Sequence, residues 1–239
     1  MALKRSKIGL IGAGTVGTAL AVLFSRKGYP VAAVSSRSQT SAQKLAEQVK
    51  GCRVASGNQE LADSADLVFI TTPDDIIGKV AAEVRWHSNQ SVVHCSGAAS
   101  TDILEPARKS GAQVGSIHPL QTFAGVAQAI ANIPGSTFAI EAEEPALSTL
   151  KEMAEAFDGK HIELKASDKV LYHAAAVIAC NYLVTLVKLA TDLWQTFSVP
   201  REQASQSLLP LIQGTLNNLN KIGIPDCLTG PIARGDTGT

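Results

Sequence analysis

Short apolar runs alternate with longer stretches of helical periodicity over the first two thirds of the chain. Such alternation is typical of a parallel β-sheet whose strands are joined by helices. Glycines stand where intervening helices are expected to end, as at Gly28 and Gly111. We therefore predict an α/β domain with a mostly parallel sheet. The predicted strands cover residues 7–11, 31–35, 53–55, 67–72, 91–95, 113–118, 137–141 and 161–164.

The hydrophobic pattern then changes, and the rest of the chain predicts helices only. Two long helices are expected, over residues 168–197 and 201–221, and the closing LTGPIARGDTGT is expected to be a loop. The chain is thus predicted to contain a sheet domain at residues 1–165 and a smaller all-helical domain at residues 166–239.

Composition narrows the possible functions. Of 239 residues, 45% are hydrophobic, which is enough for a core and a buried interface. Lys and Arg together number 21, as do Asp and Glu, and this balance indicates no nucleic-acid partner and no charged tail. The four cysteines form no C-x-x-C pair. We therefore expect no metal site, no disulfide framework and a reducing, cytoplasmic setting.

The stretch at residues 170–187 contains no Asp, Glu, Lys or Arg. At about 18 residues it lies at the short limit for a membrane span. It is rich in alanine and contains the polar residues His173, Asn181 and Thr185. We expect no membrane span here, but a homodimer formed through a helix at residues 168–197.

The sequence KIGLIGAGTVGTALAVLF has the G-x-G-x-x-G spacing directly after a strand and at the beginning of a helix. Gly12 permits the tight turn, Gly14 lets the backbone approach a pyrophosphate, and Gly17 lets the helix pack close to the strand. The amides of Thr15 and Val16 belong to the helix N-terminus, which binds phosphates. We therefore predict a Rossmann-type unit that binds a dinucleotide.

The end of the second predicted strand indicates which dinucleotide is bound. Enzymes that use NAD usually place Asp or Glu there, on the ribose hydroxyls. This chain has Ser35, Ser36 and Arg37, and its first carboxylate after the glycines is Glu47. Because guanidinium and hydroxyl groups bind a 2′-phosphate, we predict NADP. The alternative is that Arg37 is only a solvated cation of the loop.

Polar residues also follow three other predicted strands, at the edge where open α/β sheets bind ligands. Thr71, Thr72 and Pro73 are expected to line the nicotinamide ribose, and Asp74 to cap the next helix. Ser96 is well placed to contact a ligand.

Histidines supply the candidate acid–base chemistry. One of His94 and Cys95 is expected to be packed in the core. His118 ends the sixth strand and is a candidate general acid; the alternative is a structural histidine. His173 and Asn181 lie eight positions apart, about 12 Å of rise and about 80° of rotation, so both can face one cleft from one helix. The alternative is that both satisfy groups across a dimer interface.

The motifs GAGTVG, HCSGA, HPLQTF, YHAAAVIACNYL and LTGPIARGD together resemble the bacterial Rossmann-like proteins that carry a C-terminal domain of unknown function. That family is similar to pyrroline-5-carboxylate reductase, ketopantoate reductase and prephenate dehydrogenase. The resemblance implies an NADP-binding domain and a helical domain that commonly forms the dimer interface. It supplies no established reaction.

The sequence departs from these families in two places. β-Hydroxyacid dehydrogenases carry a catalytic lysine four residues before an asparagine, and here Val177 stands four residues before Asn181. Relatives usually continue well past GPIARGD, so the helical domain is expected to be incomplete at its C-terminus.

The leading hypothesis is an NADP-dependent reductase or dehydrogenase of a small C=O or C=N substrate. The cofactor supplies hydride, His118 or His173 donates the proton, and Asn181 and Ser96 orient the substrate. A non-catalytic NADP-binding or sensing dimer is the main alternative. A deazaflavin-dependent oxidoreductase is a further one.

Overall fold

The structure, a computed structural model, describes residues 6–236 and Gly238. Eight strands of this part of the chain form one sheet: β1 (Ile8–Ile11), β2 (Val31–Ser35), β3 (Arg53–Val54), β4 (Leu67–Ile70), β5 (Ser91–His94), β6 (Gln113–Pro119), β7 (Thr137–Ala142) and β8 (Lys160–Glu163). The strand order is β3-β2-β1-β4-β5-β6-β7-β8. All neighbouring strands are parallel except β6 and β7.

Helices connect the strands, and four further α-helices of the described residues follow β8. They are α1 (Thr15–Arg26), α2 (Gln39–Gln48), α3 (Asn58–Asp63), α4 (Asp74–Glu83), α5 (Glu105–Lys109), α6 (Val126–Asn132), α7 (Ala146–Ala156), α8 (Lys169–Ala179), α9 (Asn181–Gln195), α10 (Arg201–Lys221) and α11 (Gly230–Arg234). The chain divides into two compact units, Met1–Ala176 and Val177–Thr239.

All eight predicted strands are present, and their bounds differ from the prediction by at most two residues. The predicted Rossmann-type fold, a mostly parallel sheet followed by helices, is therefore confirmed. The central strands β1 and β4 are buried along their full length. Such strands have continuous apolar sequences because helices cover both faces of a parallel sheet.

The two faces of the sheet carry separate hydrophobic layers. On one face, Phe24 of α1 packs against Phe69 and Phe157, with ring centroids 5.3 and 5.0 Å away. On the other face, Ile77 and Trp86 belong to a second buried cluster. This packing holds the strands in a register that aligns their carboxyl ends.

That alignment positions the ligand-binding edge. Ile11 of β1 pairs with Ile70 of β4, Ile70 pairs with His94 of β5, and His94 pairs with Ser116 of β6. The order in which strands are added to the sheet changes direction between β1 and β4. From β1 the chain passes through α1 to β2 and β3 on one side, and β4 and the later strands lie on the other side of β1. A crevice at such a switch point is the usual ligand site of this fold.

Two helical predictions require correction. The single helix expected at residues 168–197 is divided at Cys180, whose φ and ψ are −111° and −64°, into α8 and α9. The apolar pattern is continuous across this position, so it gave no sign of the break. The closing segment is not a loop throughout, because α11 forms with Pro231 in its first turn and Gly235 in the left-handed region at its end. The helix α10 has the predicted bounds.

One helical stretch of the described residues, Ala166–Gln195, is long and apolar enough to cross a membrane by length and composition. This test is weak evidence for a single helix, because apolar helices of soluble proteins pass it as well.

Candidate functional site

The glycine turn after β1 has the close approaches that its sequence predicts. Gly12 has a φ of +115°, a region that side chains other than glycine rarely adopt. A Cβ on Gly17 would clash with the carbonyl of Gly12 and the hydroxyl of Thr71. That hydroxyl donates a hydrogen bond to the Gly12 carbonyl, at 2.9 Å, so Thr71 holds the turn in place.

The N-terminus of α1 presents free backbone donors beside this turn. Gly14 is the N-cap and has no side chain to satisfy them. Thr18 makes the first helical hydrogen bond to the Gly14 carbonyl, so the amides of Thr15 and Val16 precede the helical pattern. A Cβ on Gly14 would meet no atom within 4 Å. The space over this glycine is therefore open to a ligand that binds the amides.

A cleft of about 390 Å³ runs from this turn along the carboxyl edge of the sheet. It brings together three groups that the sequence predicted separately: residues 12–14, residues 36–37 and residues 71–73. Asn58 and the helix α4 complete its lining. Seven of the predicted nucleotide-binding residues thus share one cavity, whereas Thr15, Val16, Gly17 and Ser35 do not line it.

Ser35 and Ser36, at the end of β2, were expected to bind the 2′-phosphate, but their hydroxyls make other hydrogen bonds. Ser35 is buried, and its hydroxyl donates to the Asn58 side chain at 2.8 Å. It is therefore not directed to a phosphate. Asn58 was missed by sequence reasoning, since it belongs to no motif and lies at the start of a short helix. The Ser36 hydroxyl accepts from the Ser38 amide, and Ser38 caps α2.

Arg37 lies in the cleft lining and is exposed. Among the described residues, no carboxylate lies within ion-pair distance of its guanidinium. Arg37 is thus a cationic position that no ion pair neutralises, and Glu83 of α4 is the one carboxylate in the lining of the same cleft among the described residues.

Thr72 provides an independent sign of a missing polar partner. Its hydroxyl is buried and has no hydrogen-bond partner among the described residues. Buried hydroxyls are normally paired, because leaving one unpaired costs about 1–3 kcal/mol. The open space at Gly14, the unpaired Thr72 hydroxyl and Arg37 fit a phosphorylated dinucleotide, so these residues could hold NADP.

The prediction that Asp74 caps α4 is wrong. The N-cap is Pro73, and no side chain bonds to the first amides of this helix. The Asp74 carboxylate instead accepts the Ser96 hydroxyl at 2.6 Å. That hydroxyl also accepts from the amides of Ala98 and Ala99. Because its hydrogen bonds shape the loop after β5, the Ser96 hydroxyl has no free position for the expected substrate contact.

His94 is the packed residue of the pair at the end of β5. Its Nδ1 accepts from the Ser96 amide at 3.1 Å, and its Nε2 lies 3.3 Å from the Ser100 carbonyl. Burial, followed by the positive charge of Lys169, lowers the pKa of His94 to about 3. It is therefore a neutral, structural histidine.

His118 lies with two side chains of α8 over the loop after β5. The Tyr172 hydroxyl is 2.7 Å from Nδ1 of His118. The His173 ring stands edge-on to the His118 ring, with centroids 6.1 Å apart. Both rings approach Gly97, since a Cβ there would lie 3.0 Å from Nε2 of His118 and 2.7 Å from Nδ1 of His173.

The protonation of this group follows from its surroundings. Burial, and then the charges of Lys169 and His173, lower the pKa of His118 to about 4. Burial raises the pKa of Tyr172 to about 12. A neutral Tyr172 hydroxyl that donates to Nδ1 places the His118 proton on Nε2. Nδ1 of His173 is buried without a partner among the described residues, so two imidazole nitrogens remain for a ligand.

Lys169 is the main residue that sequence reasoning missed. Its side chain is 1% exposed, and Nζ donates to the Ser116 hydroxyl at 2.7 Å and to the Ser96 carbonyl at 3.1 Å. Burial lowers its pKa, whereas Glu141 is the first of three groups that raise it. The analogy with β-hydroxyacid dehydrogenases predicts a catalytic lysine four residues before Asn181, where this chain has Val177. The apolar sequence after position 169 gave no indication that Lys169 belongs to the site.

Asn181 is the first residue of α9, in the second compact unit, and is exposed. The expectation that it shares a cleft with His173 assumed one unbroken helix. Because Asn181 follows the break at Cys180 and belongs to the second unit, its position relative to His173 stays a prediction.

The parallel sheet with a glycine turn at its switch point defines a Rossmann-type protein. Residues 1–119 match the family model of a Rossmann-like domain, and residues 136–239 match the model of a domain of unknown function, DUF2520. The two matched domains follow one another along the chain, and together they span most of it. None of the curated proteins matches its sequence.

Three solved structures illustrate what the fold is similar to. A candidate NADP oxidoreductase from Bacteroides fragilis is 25% identical, with a TM-score of 0.78 over 99% of this chain and 88% of its own. The protein TM1727 from Thermotoga maritima is 28% identical, with a TM-score of 0.77 over 96% and 85%. The Plasmodium falciparum pyrroline carboxylate reductase, solved with NADP bound, is 20% identical, with a TM-score of 0.69 over 98% and 88%, and shows the likeness of fold alone.

Proposed function

We propose that this protein is an NADP-dependent oxidoreductase of a small C=O or C=N substrate. One observation carries the proposal: a single cleft joins the open glycine turn, which leads into α1, to Arg37, which forms no ion pair among the described residues. The Bacteroides fragilis relative, described as a candidate NADP oxidoreductase, supports it. Bound NADPH would supply hydride to the substrate carbon.

The histidine group of β6 and α8 is suited to supply the proton. In the tautomer that accepts the Tyr172 hydroxyl at Nδ1, the Nε2–H of His118 is a donor with no protein partner among the described residues, and the Tyr172 hydroxyl can replace the proton at Nδ1. His173 offers a second nitrogen to the same polar atom of the substrate. Ser96 and Asp74 hold the loop beneath these rings and act by positioning.

The test is calorimetric titration of the intact chain with NADPH, followed by turnover assays with NADPH and panels of small ketones, aldehydes and cyclic imines. We expect micromolar binding and oxidation of NADPH by at least one substrate class. Binding without turnover in every panel would favour a sensing role. Absence of NADPH and NADH binding would refute the proposal.

We further propose a homodimer formed through the helical stretch at residues 168–197, in a reducing cytoplasm. Large apolar side chains such as Leu186 and Leu193 of α9 are more than half exposed in one chain. Exposed apolar surface of this extent marks an interface. Lys188 and Asp192 form an ion pair on the same helix, which favours a protein partner over lipid. The four cysteines are free, as a reducing compartment requires.

A further inference from the structure

The buried ammonium of Lys169 has no part in the nucleotide cleft, and it does not pair with a carboxylate within ion-pair distance among the described residues. Its two hydrogen bonds join the loop after β5, through the Ser96 carbonyl, to β6, through the Ser116 hydroxyl. A charged group with 1% exposure and no close counter-ion is costly to bury. Such a cost at a candidate site points to a function for the charge.

The position of Lys169 relative to His118 follows from the strand. Ser116 and His118 are two residues apart on β6, so their side chains emerge on the same face about 6–7 Å apart. With Nζ 2.7 Å from the Ser116 hydroxyl, the ammonium lies beside the His118 imidazole in a region of little water. The titratable groups facing it from the surrounding elements are Asp74 of α4, His94 of β5, Cys95 after it, His118 of β6 and Glu141 of β7.

We propose that Lys169 is a positioning residue for the reaction, whose positive charge adds to burial in keeping His118 neutral and whose hydrogen bonds hold the loop that carries Gly97 under both imidazoles. The inference rests on the proposed function, in which the Nε2–H of neutral His118 is the proton donor. A cation beside an imidazole disfavours a second proton on it, and the effect is strong where water is excluded.

The neutral form matters for the geometry of proton transfer. A neutral His118 that accepts the Tyr172 hydroxyl at Nδ1 carries its own proton on Nε2, toward Gly97 and His173. A doubly protonated ring would have to donate at Nδ1, and the hydroxyl would have to turn away. Lys169 therefore disfavours the doubly protonated ring, whereas the hydrogen bond with the Tyr172 hydroxyl determines which nitrogen carries the single proton.

The experiment follows the His118 ring signals by NMR from pH 3.5 to 8 in the intact chain and in three variants. K169M removes the charge with a side chain of similar length. S116A removes the shorter hydrogen bond and keeps the charge. K151M removes a lysine that pairs with Glu163 on the exposed side of α7, and serves as the matched control.

In the unaltered chain we expect His118 to remain neutral until about pH 4. We expect K169M to raise its titration midpoint by about 1–2 pH units, and S116A and K151M to change it by less than about half a unit. An unaltered His118 that titrates near pH 6.5, or a midpoint in folded K169M equal to that of K151M, would overturn the proposal. The first measurement needs no variant, so the proposal can be refuted even if K169M does not fold.

NADPH titration of the same samples reports separately on the proposed function. If NADPH binds with equal affinity to K169M and the unaltered chain while the His118 midpoint rises, both proposals stand. If the midpoint rises and no sample binds NADPH, the proposed function fails and only the electrostatic assignment remains. Once a substrate is known, the acid limb of the kcat/KM profile should move upward with the midpoint, which a purely structural lysine would not cause.

Discussion

The guanidinium of Arg37 lines the nucleotide cleft and forms no ion pair among the described residues. Hydrogen bonds to a charged group contribute about 1.5–3 kcal/mol, equivalent to about 10–100-fold in affinity. We therefore expect R37Q to weaken NADPH binding by about 10–100-fold and to leave NADH binding within about 2-fold. Calorimetric titration with both nucleotides measures the difference.

The control for Arg37 is K50Q, which removes an exposed cation just beyond the end of α2. This variant should bind both nucleotides like the unaltered chain. Equal losses of NADPH affinity in the two variants would mean that only net charge is sensed. Equal losses of NADPH and NADH affinity in R37Q would mean that Arg37 does not contact the 2′-phosphate.

His94 makes the folded state sensitive to acid. Because its pKa is lowered from 6.5 to about 3 by burial, the unfolded chain takes up a proton in this window and the folded chain does not. Its contribution is therefore fully present above about pH 6.5 and is lost as the pH falls, by about 1.4 kcal/mol per pH unit. Urea unfolding at pH 6.5, 5.5 and 4.5 should give a steeper loss for the unaltered chain than for H94N.

The comparison for His94 is H87N, at a histidine whose side chain is 58% exposed. That variant should keep the steep loss of stability below pH 6.5. If H94N and H87N have the same dependence on pH, the neutral state of His94 is not what links folding to pH.

At the scale of elements, the loop after β5 depends on having a glycine at position 97. A Cβ there would lie 2.7 Å from the His173 ring and 3.0 Å from the His118 ring, both closer than side chains normally tolerate. We expect G97A to displace the two imidazoles, to shift their NMR signals and to lower turnover by at least about 10-fold. NADPH affinity should change by less than about 2-fold, since the nucleotide cleft lies on other loops.

Gly78 supplies the matched substitution. In G78A the new Cβ would have its nearest contact at 3.8 Å, which is ordinary van der Waals distance. We expect this variant to keep the histidine signals and the turnover of the unaltered chain. Unchanged histidine signals in G97A would show that the rings are not packed against this glycine.

The same scale shows why strands were easier to predict than site contacts. Strands such as β1 and β4 are buried on both faces, so their apolar runs and flanking glycines determine them locally. The glycine turn was likewise predicted, because local sterics require glycine there: Gly12 has a positive φ and Gly17 has no room for a Cβ. The break at Cys180 was not, since apolar residues continue on both sides of it.

The missed contacts arise from tertiary packing. Lys169 begins an apolar helix, and only the fold brings its Nζ to the Ser116 hydroxyl and the Ser96 carbonyl, more than fifty positions earlier. Asn58 reaches the cleft in the same way, through Ser35. The spacing of residues along the sequence does not predict such long-range contacts. The analogy with a lysine four residues before Asn181 pointed to position 177 instead of 169.

At the scale of the whole molecule, the sheet gathers the proposed chemistry at one edge. The strand order brings the ends of β1, β4, β5 and β6 side by side. In our proposal the ends of β1 and β4 bind the nucleotide. The loop after β5 lies under the His118 ring, and β6 carries His118 itself. In our proposal the hydride acceptor binds between these two pairs of strand ends, because catalysis by orientation requires contact with both.

The proposed homodimer gives a prediction for the intact chain. The side chain of Leu186 is 62% exposed in one chain, and that of Leu193 is 66% exposed. Burial of a leucine in an interface contributes about 1.5–3 kcal/mol, and a buried unpaired carboxylate reverses this gain. We expect the unaltered chain to elute as a dimer in size-exclusion chromatography with light scattering, and L186E to elute as a monomer at the same micromolar concentration.

The control for the dimer is N220E, which adds the same charge at an exposed polar position of α10. It should remain dimeric, because a solvated carboxylate there costs little. Since the histidine group and the nucleotide cleft both belong to the first compact unit, L186E should still bind NADPH with unchanged affinity. An unaltered chain that is monomeric at all micromolar concentrations would instead leave the apolar surface of α9 for a different partner.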